Sequence, residues 1–374
     1  MSTRLLALGA SAAILFAACG PGASAAPSTA PTGAATAGPT DTPAASVTAF
    51  KACLVTDTGG LGDKGFNDNA LKGLQDAHTA GYATEIKNLE SKKDADYASN
   101  IDALVADSCQ SITTVGFNMG DATKAGALAN PTVAFSIVDN AYDPPIANVT
   151  GIVFATQEAG MLAGYLAAGV SATGKIGTYG GLPIPPVTDF MDGLWAGIKY
   201  YNQENGKNVT LLGYDPAKKT GGVLAPANNP WNNPDFGNTQ ANAFFQEGVD
   251  IVVPIAGGTG IGSFTAAKQA QADGKKVYAI GVDTDQYITA PGFEQVILTS
   301  IQKIIDKAVA GAIQQAQAGT LGGTNYVGTL ANGGVGIAPF HDLSTLVSAQ
   351  LQTGLDTLKA GISGGTIKVA DYLK

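Results

Sequence analysis

From Ala49 onward the chain alternates short apolar runs with longer amphipathic ones, and this alternation leaves few folds open. "ACLVTD" precedes "NDNALKGLQDAHTAG", "ATEIKNL" precedes "DADYASNIDALVADS", "SITTVGF" precedes "DATKAGALAN", and "TVAFSIVD" follows. Runs of four to eight residues rich in β-branched types, separated by helix-length segments, are the signature of βαβ units and a parallel sheet. The pattern then restarts with "EAGMLAGYLAAGV" and "GKIGTYGG" and continues through "VTDFMDGLWAGIKYYNQENG", "NVTLLGYD", "GNTQANAFFQEG", "VDIVVPIAGG", "GSFTAAKQAQADG" and "KKVYAIGVDTD". Two such series in 374 residues predict an α/β protein of two similar lobes with a cleft between them. The tail adds "QVILTSIQKIIDKAVAGAIQQAQAG", a Gly-rich segment and a final helix around residues 346–360. Its apolar strand is expected to return to the first lobe's sheet. That gives an N-terminal lobe of residues 49–153 plus 286–330 and a C-terminal lobe of 154–285 plus 331–374.

The first fifty residues read differently. "MSTRLLALGASAAILFAACG" has one Arg, an apolar run too short for a membrane span, and small residues before Cys19, the layout of a secretory signal over residues 1–18. Ala17, Ala18 and Cys19 resemble the lipobox of a bacterial lipoprotein, in which the cysteine becomes lipid-modified; Phe16 stands where a Leu is usual. Residues 20–46 carry no aromatic, no large aliphatic residue and one charge, Asp41, so they have too little apolar surface to offset the entropy of ordering. Residues 19–48 are therefore expected to form a lipidated tether that holds the folded body off a membrane surface.

A net charge of −9 repels phosphate backbones and argues against nucleic-acid binding. With only His78 and His341, a zinc site or a His-based triad has little to work with. In an exported protein Cys53 and Cys109, both in or beside strand-like runs, are candidates for a disulfide, although two buried thiols fit the same sequence.

In open α/β sheets ligands sit beyond the carboxyl ends of the strands. The residues there are Asp57, the turn Gly116, Phe117 and Asn118, then Asp139, Gly257, Gly258 and Asp283. Between Leu54 and Ala77 the segment "LVTDTGGLGDKGFNDNALKGLQDA" also sets an aromatic ring, Phe66, in a polar loop. An exposed ring there is costly unless a ligand covers it; packing inward as a staple for the following helix is the other reading.

"DTGGLGDKGFND" resembles the D-x-G-G-x-x-D-K-S-F-N signature of the basic membrane protein family of bacterial lipoproteins, which includes purine nucleoside receptors. Further matching segments are "TVGFNMGDAT", "FSIVD", "EAGMLAGYLAA", "PVTDFMDGLWAGIKYYN", "GVDIVVPIAGGTGIG", "GVDTDQY" and "TSIQK". The resemblance implies a type I periplasmic binding protein fold and a solute-binding subunit of an ABC importer. It also implies two aromatic rings that sandwich a base: Phe66 falls at the first, and Trp231 or Phe236 at the second. By the same resemblance Asp57 and Asn67 meet the base edge, Asp283 accepts from ribose hydroxyls, Lys303 donates to the sugar, and Gly257 offers backbone groups. Asp139 is either a further contact or a cap. The chain departs from the family at Gly65, where Ser is usual, and at Asn233, where an acidic residue is usual.

The leading expectation is thus a lipid-anchored, monomeric protein that closes on a purine nucleoside and delivers it to a permease and ATPase, with no cofactor and no catalytic step. A sugar binder and a surface sensor without a transporter remain open. So does a nucleoside hydrolase or phosphorylase, suggested by Asp57, Asp63 and Asp68. Loop solvation and helix N-terminal charge account for Asp63 and Asp68 more simply.

Overall fold

The computed structural model describes residues 49–217 and 222–373, so the readings of the signal, of Cys19 and of the tether lie outside the described residues. The first series folds as β1 (Lys51–Val55), α1 (Phe66–Thr79), β2 (Glu85–Leu89), α2 (Asp96–Ala106), β3 (Ser111–Val115), α3 (Gly120–Ala129), β4 (Ala134–Val138) and β5 (Val149–Phe154). The expectation ended this series at β4. Gly151 in the middle of β5 weakens the strand signal, yet a Cβ there would stand 2.6 Å from the Asn140 carbonyl, so close packing requires the glycine.

The second series comprises α4 (Thr156–Val170), β6 (Lys175–Gly180), α5 (Pro185–Asn205), β7 (Thr210–Leu212), α6 (Pro234–Gln246), β8 (Ile251–Ile255), α7 (Ile261–Ala272), β9 (Tyr278–Asp283), α8 (Gln286–Thr289) and β10 (Ile297–Lys303). The chain then returns to the first lobe as α9 (Ile305–Gln317) and β11 (Thr324–Gly328). It crosses once more into β12 (Val335–Ile337) and α10 (Ala349–Ser363). The sheets run β11-β5-β4-β3-β1-β2 and β12-β10-β9-β8-β6-β7, with every pairing parallel except β10 against β12.

This topology corrects the expected lobe boundary. The apolar strand β10 does not rejoin the first sheet but pairs with β9 and β12 in the second, so residues 297–303 belong to the C-terminal lobe. Its apolar character suits an interior position flanked on both sides. The strand that does rejoin the first sheet is β11, whose Thr324, Asn325 and Tyr326 are exposed because it forms an edge.

α4 and α5 pack backbone to backbone. A Cβ at Gly164 would lie 2.2 Å from the Leu194 carbonyl oxygen, and one at Gly197 would lie 2.1 Å from that of Met161. No side chain fits between the two helices at these points. In the first lobe β1 and β3 are neighbours, which brings Cys53 and Cys109 to a Cα separation of 6.0 Å, and the two are joined. Closing a 56-residue separation removes unfolded-state entropy worth about 4 kcal/mol on the chain-entropy account.

Candidate functional site

A pocket opens at the carboxyl ends of both sheets, and all nine expected ligand-site residues line it. Asp57 follows β1, Phe66 and Asn67 open α1, Phe117 follows β3 and Asp139 follows β4. From the other lobe come Trp231 ahead of α6, Gly257 after β8, Asp283 at the end of β9 and Lys303 at the end of β10. Phe236 is not part of the lining; its ring meets Tyr179 edge-on at 5.6 Å. The sequence reading missed Asp63 and an apolar wall of Ile184, Pro186, Val187 and Phe190. Asp63 stood inside the quoted signature. The wall belongs to the start of α5, whose apolar residues read from sequence as ordinary helix core.

Lys303 is the centre of charge. It is 3% exposed, with Nζ 2.6 Å from Asp139 Oδ2 and 3.4 Å from Asp283 Oδ1. The ammonium also sits 4.8 Å from the Phe66 ring centroid and 5.2 Å from that of Phe190, within cation-π range. Burial works against the charge on Lys303, but the two carboxylates outweigh it and hold its pKa above the usual lysine value. Burial likewise pushes Asp139 up, against the pull of Lys303, and raises Asp283 to about 6. Asp139 and Asp283 both adopt left-handed backbone, φ 65° and 68°, a conformation rare outside glycine and concentrated at functional sites.

A second polar group lies at the start of α1. Asp57 Oδ1 accepts from the Gly59 N–H at 2.9 Å and from Asn67 Nδ2 at 2.9 Å. Asp63 Oδ2 accepts from the Asn67 N–H at 2.8 Å and from Asn67 Nδ2 at 3.2 Å, while its Oδ1 accepts from the N–H groups of Gly65 and Asp68. Loop solvation therefore does not describe Asp63, which is 5% exposed; satisfying helix N-terminal donors does. Asp68 accepts from Gly62 and Lys64 N–H groups in the same loop. The enclosed carboxyl of Asp57 is raised to about 7, chiefly by burial and against the bonds from Asn67 and Gly59.

Trp231 owes its position to its neighbours. A Cβ at Gly181 would fall 2.0 Å from Trp231 Cζ3, so the glycine after β6 makes room for the indole. Thr259 fixes the loop: its N–H donates to the Trp231 carbonyl at 3.0 Å, and its hydroxyl donates to that of Pro230 at 2.9 Å and accepts from the Asn233 N–H at 2.8 Å. Asn233 in turn caps α6 by accepting from the Phe236 N–H at 3.2 Å. At Gly65 a Cβ would be 3.7 Å from Asp283 Oδ2, so the usual serine has room there. The lobes are also clasped at the Lys64 carbonyl, which accepts from Gln286 Nε2 at 3.3 Å and Thr289 Oγ1 at 2.7 Å.

A pocket built from the strand ends of two lobes is where ligands of two-lobed α/β proteins sit, and comparison with known proteins fits this arrangement. The family model for ABC transporter substrate-binding proteins, PnrA-like, matches residues 50–220 and 222–371. The chain belongs to this family. It is 31% identical over 335 residues to the CD4+ T-cell-stimulating antigen of Listeria monocytogenes, covering 86% of this chain and 88% of that protein. It is 30% identical over 330 residues to the ABC transporter nucleoside-binding protein BmpA of Lactococcus lactis, covering 84% and 89%. Among solved structures, an ABC transporter solute-binding protein from Aeropyrum pernix superposes with a TM-score of 0.75 at 26% identity, over 85% of this chain and 92% of that one. Another from Conexibacter woesei, at 19% identity and TM-score 0.65, speaks for the fold alone; it covers 87% of this chain and all of that one. The fold is that of the type I periplasmic solute-binding proteins, and the family is one of binding proteins, not enzymes.

Two outcomes follow from the buried charges. Lys303→Met leaves two buried carboxylates without their cation and should lower the free energy of unfolding in urea by about 3–5 kcal/mol; a loss below about 1 kcal/mol would show that the charges are solvated. Because Asp57 binds its proton more tightly folded, about 7 against 3.8, its contribution to ligand-free stability is full below about pH 4 and is lost as the pH rises through about 7. Asp283 acts in the same direction up to about 6. Thermal melts of the ligand-free protein should therefore shift down between pH 4 and 7, with a shallower slope in Asp57→Asn. A slope of the opposite sign would contradict this account.

Proposed function

We propose that this protein binds a nucleoside of the purine class between its lobes and delivers it to the permease of an ABC importer. The observation that carries the reading is that Phe66 and Trp231 reach one pocket from opposite lobes, beside two separate sets of polar groups. A planar base held between the rings gains roughly 0.5–1.5 kcal/mol per aromatic contact beyond area burial. Asp57 and Asn67 then face the edge of the base, while Asp283 accepts from the two ribose hydroxyls and Lys303 donates to the sugar, charge-assisted bonds stronger than neutral ones. The name of the Lactococcus lactis relative supports the same ligand class. Closure of the lobes excludes water from these contacts and opening releases the ligand to the permease. In this reading Cys19 is the lipid anchor and residues 19–48 are the tether.

Calorimetric titration of the body from Val47 to Lys374, one compact unit, tests the ligand. At least one of adenosine, guanosine and inosine should bind where ribose does not, and Phe66→Ala should weaken that binding tenfold or more. Ribose binding as tightly as the nucleosides would replace this reading with a sugar binder. The anchor is tested separately by expressing the full chain with Cys19→Ser, which should move the protein from the membrane fraction to the soluble exported fraction.

A further inference from the structure

Asn67 is 1% exposed and lines the pocket, yet its side-chain oxygen Oδ1 is buried with no hydrogen-bond partner. The amide nitrogen, by contrast, is committed to two carboxylates, Asp57 Oδ1 at 2.9 Å and Asp63 Oδ2 at 3.2 Å. An ionised carboxylate only accepts, so above about pH 7, where Asp57 has lost its proton, the amide cannot turn its oxygen toward Asp57 and Asp63 without setting lone pairs against lone pairs. The orientation of Asn67 is thereby fixed, with the nitrogen toward the protein and the oxygen left over. An acceptor buried without a partner carries a cost that a ligand donor removes.

We propose that Asp63 is a specificity-determining positioning residue: with Asp57 it locks the Asn67 amide so that the pocket presents a fixed acceptor and selects ligands bearing an N–H donor at that point. Resting on the nucleoside reading, this narrows the ligand to bases with an exocyclic amino group or a protonated ring nitrogen on the edge facing Asn67. Asp63 itself does not contact the ligand in this scheme. Its carboxylate also accepts from the backbone N–H groups of Gly65, Asn67 and Asp68, which hold it rigidly enough to act as a template.

The test compares ligands that differ in one donor. Adenosine and inosine are titrated, at a pH above the Asp57 value of about 7, against purine riboside, which has neither the 6-amino group nor the N1–H, into the wild-type protein and Asp63→Asn. In the wild type at least one of the two should bind tenfold or more tighter than purine riboside, since the analogue leaves the acceptor unpaired. In Asp63→Asn one of the two carboxylates that hold the nitrogen is gone and the new amide can donate to the Asn67 oxygen, so only Asp57 still opposes a turn and that ratio should fall below about threefold. A purely structural role for Asp63 would weaken all three ligands together and keep the ratio, which overturns the inference while leaving the nucleoside reading intact. Failure of all three to bind the wild type overturns the nucleoside reading and the inference with it. If Asp63→Asn does not fold, Asp63→Ser serves in its place, because serine caps a helix start yet cannot hold the backbone and the amide at once; the same ratio decides.

Discussion

The ammonium of Lys303, enclosed between Asp139 of the first lobe and Asp283 of the second, is the interaction on which the rest of the site depends. A buried cation needs paired charge on every side that water has left. Here the pairing crosses the cleft, because β10 delivers Lys303 from one sheet and the end of β4 delivers Asp139 from the other. The two aspartates reach it by turning their backbones into the left-handed region, local strain that the converging strands sustain. The same ion pair therefore links the lobes and sets the polarity of the pocket floor.

Around this single cation the pocket collects four carboxylates, Asp57, Asp63, Asp139 and Asp283, each with its pKa raised by burial. Such a lining is rich in acceptors and poor in donors. It suits a ligand whose periphery is N–H and O–H, and it disfavours phosphate, which would bring further negative charge to a site with one lysine. The aromatic and aliphatic residues, Phe66, Trp231, Phe190 and Val187, supply the apolar faces between these acceptors. The combination of flat apolar surface and directed acceptors is what separates this pocket from a generic hydrophobic cleft.

Much of this is legible in the sequence. Strand and helix periods marked nearly every element, and the rule that ligands gather at strand carboxyl ends selected Asp57, Phe117, Asp139, Gly257 and Asp283. The ring in a polar loop singled out Phe66, and the resemblance gave it a partner and added Asn67, Trp231 and Lys303. What escaped the sequence has definite causes. β5 hid behind a glycine needed for close packing. The apolar β10 looked like a strand for the first sheet because hydrophobicity reports burial on both faces, not which sheet provides it. Asp63 looked solvated because a charged residue among glycines carries no sign of the three backbone donors and one amide that enclose it.

The sequence by itself determined the α/β alternation, the two lobes and the side of each sheet at which a ligand site can form, since these follow from periodicity and from the direction of parallel strands. Only the tertiary structure decided that β10 and β11 go to opposite sheets, that Trp231 and not Phe236 faces the pocket, and that the oxygen of Asn67 is the free end of its amide. Those outcomes depend on contacts between residues far apart in the chain: a strand edge left open, a glycine that admits an indole, two carboxylates that claim one nitrogen. No local pattern encodes them, because each is settled by which distant groups compete for the same space or the same hydrogen bond.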